Sequence, residues 1–183
     1  QYVVRILSNN LRSFSGGPFC TGFGSSNCVN TVEPLISFAV GNDNTDTTVR
    51  APSCIPSAIA VAGSTKQDGR ADRSNWGPLV DLVAPGQAIN APFPSGNSNT
   101  SYGVVGGTSA AAAHVTGAWA ALRTARPNAT VDEIETALKS TGLGVFSAGT
   151  GKPRIRVANA LSSMVNINTA GQPPELADVT LNI

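Results

Sequence analysis

The chain has 183 residues, enough for one sizeable domain with its own hydrophobic core. Hydrophobic residues make up 41% of it and charged residues only 13%, and the formal net charge is +1. These values argue against the strongly basic surface of a protein that binds nucleic acid or an anionic membrane. The longest apolar runs are too short to span a bilayer.

The first residue and the cysteines indicate a processed, extracellular protein. The chain begins at Gln1 and its only methionine is Met164, so we interpret it as a processed or excised piece of a longer precursor. Cys20, Cys28 and Cys54 lie in the first third, among Gly, Ser, Asn and Pro. This context favours one disulfide and one remaining thiol, with three free thiols as the alternative. Their spacing does not fit a metal site.

Short, nearly continuous apolar runs predict strands in the first 105 residues. Runs of this kind are typical of strands that are covered on both faces, as in a parallel sheet. Glycine, proline and polar residues predict a turn-rich loop over residues 8–31. The predicted strands are residues 2–7, 35–40, 58–62, 79–84 and 102–105.

Helices are predicted in the second half of the chain. An alanine-rich helix covers residues 109–124 and ends before Pro127. The sequence TVDE at residues 130–133 is a capping box, which begins an amphipathic helix that ends near Ser140. After the extended segment 152–157, a short helix follows at residues 157–164.

Strands followed by helices, without an internal repeat, predict an α/β fold with a mostly parallel sheet flanked by helices. Residues 1–165 would form this domain, and residues 166–183, with Pro173 and Pro174, would be a tail or linker. Since only three helices accompany four or five strands, the domain is expected to be incomplete.

Ser109 follows Gly106, Gly107 and Thr108 at the start of the alanine-rich helix. A hydroxyl at this position lies near backbone N–H groups whose partial positive charge favours an oxyanion or an alkoxide. Ser109 is therefore a candidate nucleophile. The alternative is that Thr108 or Ser109 only caps the helix.

His114 is the only histidine of the chain, and it lies five residues after Ser109. Five helical steps turn the chain by about 140° from Ser109, so the imidazole cannot reach the hydroxyl. We therefore expect His114 to be structural, packed or hydrogen-bonded beneath the helix. Lysine can replace histidine as the base of a serine nucleophile, but the three lysines, Lys66, Lys139 and Lys152, have no suggestive context.

Asn42 closes the predicted strand that ends in AVGN. Its side chain would project from the carboxyl end of a parallel sheet, where α/β folds place their sites, and its amide could donate to a developing oxyanion. The alternative is an ordinary turn asparagine, because the sequence GNDN is typical of a turn.

Residues 107–117, GTSAAAAHVTG, resemble the nucleophile motif of the subtilisin-like serine proteases, GTSxAxPHVxG. Residues 38–43, FAVGND, resemble the oxyanion-hole strand of that family. Residues 51–63, 74–78 and 80–86 resemble the stretch between the two motifs, in the same order and at similar spacing. The resemblance extends over about residues 3–163. The chain therefore resembles the C-terminal portion of a subtilisin-like catalytic domain.

The resemblance implies roles for particular residues. Ser109 would be the nucleophile, and Asn42 would be the oxyanion donor together with the Ser109 backbone N–H. The family's histidine at the position of His114 is structural. Two short segments would bind substrate: Ala39, Val40 and Gly41 would line one wall of the pocket before the scissile bond, and the residues around Asn10 and Leu11 would pair with the substrate as an added strand.

A calcium site and a disulfide are also implied by the resemblance alone. Asp81, with the carbonyl groups of Pro56 and Ala58, resembles a calcium site of some members, and hard oxygen ligands suit that ion. Cys54 matches a position that is bridged in secreted members, and Cys28 is the favoured partner over Cys20.

The chain also departs from the family pattern. The aspartate and histidine motifs of the family are absent. Ala110 replaces the usual methionine, and Ala113 replaces the motif proline. The segment between Cys28 and Ile36 is short for a parallel crossover, which needs about a dozen residues.

The first functional hypothesis is a secreted serine endopeptidase that forms an acyl-enzyme on Ser109. A peptide or protein is the expected substrate, and an N-terminal fragment or second chain would supply the missing Asp and His. The second is a non-catalytic, protease-like binding or assembly module. The third is an unrelated secreted α/β domain. Neither nucleic acid nor a membrane is expected as a partner.

Overall fold

The computed structural model describes residues 11–12, 33–34, 36–56, 58–93 and 101–166 of the chain. In these residues it has nine strands and three helices. The strands are β1 (Leu11–Arg12), β2 (Glu33–Pro34), β3 (Ser37–Ala39), β4 (Ile59–Ser64), β5 (Leu82–Pro85), β6 (Ile89–Pro92), β7 (Tyr102–Val105), β8 (Leu143–Ser147) and β9 (Thr150–Arg154). The helices are α1 (Thr108–Ala125), α2 (Val131–Ser140) and α3 (Val157–Asn166).

A five-stranded sheet with the order β3-β4-β5-β9-β8 forms the centre of the described fold. Strands β3, β4, β5 and β9 are parallel, with Ala39 opposite Val61 and Val83 opposite Arg154. Strand β8 is antiparallel to β9. Two antiparallel ribbons, β1–β2 and β6–β7, lie outside this sheet. The predicted α/β fold with a mostly parallel sheet is confirmed.

Every residue of β4 is buried, because both faces of the sheet are covered. Ile59 and Val61 pack with residues of the three helices in one core cluster. The alternate residues Ala60 and Ala62 point to the other face, where loop residues such as Trp76 cover them. This two-sided burial explains why the sequence of β4 is continuously apolar rather than alternating.

Two of the predicted strands differ from the structure in extent or partner. The run at 79–84 becomes a strand only from Leu82, since Leu79 lies in a turn and is 55% exposed. The predicted strand at 102–105 exists, but it pairs with β6 in a separate ribbon. The predicted strand 2–7 and the tail from residue 167 lie outside the described residues, as does almost all of the loop 8–31.

Helix α1 begins at the carboxyl edge of the parallel strands. The Gly107 N–H donates to the Gly86 carbonyl group just after β5, at 2.7 Å. On the neighbouring side, the Gly41 N–H donates to the Thr108 hydroxyl at 3.3 Å, and Gly41 follows β3. These two contacts fix the first turn of α1 above the strand ends, where open α/β sheets carry their sites.

Candidate active site

Ser109 lies in the first turn of α1 and is exposed. The residue that precedes the helix is Gly107, with φ of 115°, and it has no side chain that could cap the helix. Neither Thr108 nor Ser109 is therefore the N-cap residue, and the capping alternative is wrong. The Ser109 hydroxyl is not used in any hydrogen bond to the described part of the chain.

Asn42 caps the helix from outside. Its carboxamide oxygen, Oδ1, accepts hydrogen bonds from the Thr108 N–H at 2.9 Å and from the Thr108 hydroxyl at 3.2 Å. The same carboxamide packs on Gly107, where an added Cβ would lie 3.3 Å from Asn42 Nδ2. Because two donors hold Oδ1, the NH₂ end of the amide remains the donor of this group. Asn42 is thus more than an ordinary turn residue.

Two hydrogen-bond donors near the start of α1 are unused. Asn42 Nδ2 has no acceptor within the described ranges, and the Ser109 backbone N–H has none there either. The first N–H groups of a helix lack partners within the helix and carry a partial positive charge. Ala110 differs, because its N–H donates to the Gly107 carbonyl group at 3.1 Å. The first turn of α1 therefore has an unused N–H group at Ser109, and the Asn42 carboxamide is held at the same turn through its hydrogen bonds to Thr108.

Asn75 holds the loop that carries Asn42, and the sequence analysis assigned it no role. It is 1% exposed, and its Nδ2 donates to the Val40 carbonyl group at 3.1 Å. Its Oδ1 accepts from the Asp43 N–H at 2.8 Å. Gly41 is required in this loop, because its φ is 105° and an added Cβ would lie 2.6 Å from Asn75 Nδ2. A buried asparagine in a polar segment gives no sequence signal beyond its place inside the family-like stretch 74–78.

Asp43, next to Asn42, is ionised and paired. Arg50 donates two hydrogen bonds to its carboxylate, at 2.7 and 2.8 Å. These bonds to Arg50, and a further one from Asn75, lower the pKa of Asp43 to about 2. A carboxylate with this pKa remains charged at neutral pH, so it cannot act as a general acid there.

The described structure offers Ser109 no base. His114 Nδ1 is hydrogen-bonded to the Ala110 carbonyl group of the preceding helical turn, at 2.8 Å. The expected hydrogen bond to its helix is therefore found, although the side chain is exposed rather than packed beneath the helix. Lys139 is paired with Asp81 and Glu135, and Lys152 donates to the Pro78 carbonyl group. Lys66 is exposed in a turn and has no contact with Ser109 among the described residues.

The substrate-binding residues that the sequence predicted are only partly described. Val40 is fully buried in the core, so its side chain cannot line an open pocket. Ala39 and Gly41 are partly accessible and can still form the predicted wall. Leu11 forms β1 with its backbone, paired with Pro34, and Asn10 lies outside the described residues. Strand pairing with substrate at Asn10 and Leu11 stays a prediction.

The predicted calcium ligands do not fit the ion well. Both oxygens of Asp81 already have protein partners: Oδ2 accepts the Ala60 N–H at 2.9 Å, and Oδ1 accepts the Lys139 ammonium at 3.0 Å. Calcium needs six to eight oxygen ligands and is repelled by an ammonium group at this distance. Pro56 is exposed and Ala58 is buried. No group of three or more acidic, histidine or cysteine side chains that could hold a metal is found in the described part of the chain.

The predicted disulfide is not tested by the described residues. Cys54 is exposed and has no disulfide partner among the described residues. Cys20 and Cys28 lie outside those residues.

A groove of about 770 Å³ runs along the exposed face of α1. Its lining contains neither Ser109 nor Asn42. The lining is mostly apolar and includes several small side chains of α1; it consists of Pro85, Ile89, Ala91, Val105, Ala110, Ala113, His114, Gly117, Ala118, Ala121, Arg154, Ile155 and Val157.

None of the described helices is long and apolar enough to cross a membrane.

The sequence model of the subtilase family, Peptidase_S8, matches residues 19–170. The chain belongs to the subtilase family. This match confirms the resemblance that the nucleophile and oxyanion motifs indicated, and it excludes an unrelated α/β domain.

This chain aligns with only part of the length of known subtilases. Subtilisin-like protease 7 of Trichophyton equinum is 46% identical over 83 residues, which cover 45% of this chain and 20% of that protein. Subtilisin-like protease 1 of Arthroderma gypseum is 43% identical over 103 residues, or 52% of this chain and 21% of that protein. The chain thus spans about a fifth of the curated subtilases it matches.

Solved subtilase structures share the fold. A protease from Pseudoalteromonas arctica superimposes with a TM-score of 0.61 and 34% identity, over 70% of this chain and 42% of that protein. A lanthipeptide protease gives a TM-score of 0.63 at 20% identity, over 71% of this chain and 50% of its own, and supports the fold alone. Each superposition covers at most half of the other chain.

Proposed function

We propose that this chain is the C-terminal portion of a subtilisin-like serine endopeptidase domain and carries its nucleophile and oxyanion donors. One observation carries the proposal: the hydrogen bond of 2.9 Å between Asn42 Oδ1 and the Thr108 N–H. This bond fixes the Asn42 carboxamide at the start of α1, next to the residue that precedes Ser109. The amide hydrogens of Asn42 and the Ser109 N–H are then available to one oxyanion.

In the proposed reaction, the Ser109 hydroxyl oxygen attacks the carbonyl carbon of the scissile peptide bond while a histidine accepts its proton. The tetrahedral oxyanion is stabilised by Asn42 Nδ2 and the Ser109 N–H. The C–N bond then breaks, the histidine gives its proton to the leaving amine, and an ester with Ser109 remains. Water hydrolyses this ester by the same steps, which restores the hydroxyl group.

The histidine and the aspartate that orients it must come from outside these 183 residues, as an N-terminal segment or a second polypeptide. The only histidine present, His114, has its Nδ1 directed at the Ala110 carbonyl group. Substrates would be peptides or proteins, and an extracellular location would suit the composition and the low lysine content.

A fluorophosphonate probe, which reacts with activated serine hydroxyls, tests this proposal. The purified chain alone should label very slowly. Addition of the N-terminal part of a subtilase catalytic domain, such as that of the Trichophyton equinum protease 7, should accelerate the labelling about 1000-fold or more, because it supplies the base. Mass spectrometry of the labelled peptide should locate the probe on Ser109.

Ser109→Ala is the control variant and should not label under either condition. Rapid labelling of the isolated chain at Ser109 would contradict the need for an external base. A second polypeptide that binds the chain without accelerating the reaction would favour the other candidate, a non-catalytic binding or assembly module. The lack of a base for Ser109 among the described residues is the observation that keeps this candidate open.

A further inference from the structure

Asp81 lies just before β5 and has its carboxylate at a position where the family resemblance implies calcium. The side chain of Asp81 is 30% exposed, so its charge is partly desolvated and requires a partner. One oxygen accepts the Ala60 N–H at 2.9 Å, which ties Asp81 to β4. The other oxygen lies 3.0 Å from Lys139 Nζ.

Lys139 reaches this carboxylate from the last turn of α2. Its ammonium group also lies 2.6 Å from Glu135 Oε1, one helical turn earlier. The ammonium group therefore bridges two carboxylates, and through Asp81 it joins α2 to the sheet.

A second ammonium group contributes positive charge at the same place. Lys152 in β9 donates to the Pro78 carbonyl group at 2.7 Å and lies close enough to interact with the charges of Asp81 and Lys139. A divalent cation bound to Asp81 would face the Lys139 ammonium at short range, with the charge of Lys152 adding to the repulsion. Repulsion between such charges is strong where they are shielded from water.

We propose that the ammonium group of Lys139 takes the place of calcium at Asp81, so that this chain has a built-in cation where other subtilases bind a metal ion. Lysine suits the task, because its ammonium is a compact charge with three donors, and two of them are used by Asp81 and Glu135. The site then contributes stability without calcium in the medium. This inference concerns stability, so it does not depend on the proposed peptidase activity.

Thermal unfolding of the full chain, followed by circular dichroism in millimolar calcium chloride or in EGTA, tests the proposal. The melting temperature of the wild type should agree within about 1 °C between the two conditions. Lys139→Met keeps the apolar part of the side chain but removes the ammonium group from Asp81. This variant should melt lower than the wild type in EGTA, and calcium should raise its melting temperature by about 3 °C or more.

Lys66→Met is the matched control, because Lys66 is exposed and has no ion pair among the described residues. It should not respond to calcium. Where Lys139→Met does not fold, Lys139→Gln replaces it in the same assay. A calcium-dependent rise in the wild type that Asp81→Asn abolishes would overturn the proposal. So would a folded Lys139 variant that gives no calcium response.

Discussion

At the scale of one residue, the hydrogen bond between Asn42 and Thr108 gives a single carboxamide two roles, one for its oxygen and one for its nitrogen. Its oxygen caps α1, and its nitrogen remains a donor beside Ser109. Asn75 lies behind it and acts on the loop, through the Val40 carbonyl group and the Asp43 N–H. The two asparagines should therefore have separable effects, one on catalysis and one on stability.

We predict that Asn42→Ala lowers kcat of the enzyme reconstituted with its N-terminal part, with little change in KM. The expected loss is about 100- to 1000-fold, the range known for removing one oxyanion donor from a protease of this family. Steady-state hydrolysis of a chromogenic peptide gives both constants.

Asn75→Ala is the contrasting variant in this experiment. It leaves buried backbone groups without partners and should lower the free energy of unfolding by about 1–3 kcal/mol, while the folded enzyme keeps most of its kcat. Equal losses of kcat in both variants, with no loss of stability in Asn75→Ala, would contradict this division of roles. Asn128→Ala, in an exposed turn, should change neither property.

The placement of Ser109 at the start of α1 and of Asn42 just after β3 could be predicted, because each lies in a local motif whose backbone context is readable from neighbouring residues. The contacts of Asn75 could not, since its partners Val40 and Asp43 are 35 and 32 residues away in the sequence. The burial of Val40 could not be predicted from the sequence either, because a residue at a strand end can face a pocket or the core. The Lys139–Asp81 ion pair could not be predicted for the same reason, since the two residues are 58 positions apart in the sequence.

Among the elements, those with local signals were predicted well. Helix α2 begins after the predicted capping box: the Thr130 hydroxyl accepts the Glu133 N–H at 3.2 Å, and Glu133 Oε2 accepts the Thr130 N–H at 2.7 Å. The alanine-rich α1 and the short α3 also lie where they were expected.

The β8–β9 hairpin was missed. Its turn residues, Ala148 and Gly149, have φ of 47° and 74°, as a two-residue hairpin turn requires. Alanine is an unusual residue for that conformation and gives no turn signal. Strand β9 has the sequence TGKPR, whose glycine, lysine and proline are uncommon in strands. Tertiary context, with β5 on one side and β8 on the other, determines this strand.

The capping box gives a prediction at the scale of one helix. Thr130→Ala removes the oxygen that accepts the Glu133 N–H and should lower the free energy of unfolding by about 1 kcal/mol. Urea titration followed by circular dichroism measures the change. Thr124→Ala is the control and should be nearly neutral, because among the described residues the Thr124 hydroxyl bonds only to the Ala120 carbonyl group within α1. A loss as large in Thr124→Ala would contradict a specific role for the cap.

On the scale of the whole molecule, one face of α1 has no partner in the described fold. The groove of about 770 Å³ lies along this face, and a Cβ added to Gly117 would meet no atom within 4 Å. Glycine inside a helix costs stability and is normally justified by a close neighbour. If the proposed function holds, we expect the polypeptide that supplies the base to cover this face, where the absence of a side chain at Gly117 would let it approach closely.

We therefore predict that Gly117→Leu leaves the isolated chain folded, with an equal or higher melting temperature, and weakens its binding to the N-terminal part about tenfold or more. Surface plasmon resonance measures the binding, and circular dichroism measures the melting temperature. Ala120→Leu is the matched control, because Ala120 is exposed on the same helix but does not line the groove. Unchanged binding of Gly117→Leu would show that the partner contacts another surface.

The strand order also has a consequence for biosynthesis. Strand β9 inserts between β5 and β8, and Val83 is paired with Arg154. Because the ribosome makes the chain from its N-terminus, β5 is synthesised long before β9. Until β9 is made, the backbone N–H and C=O groups on that edge of β5 lack their strand partner. The nascent chain is therefore vulnerable to aggregation until the final hairpin is released, and chaperones that shield β-edges should improve its yield during expression.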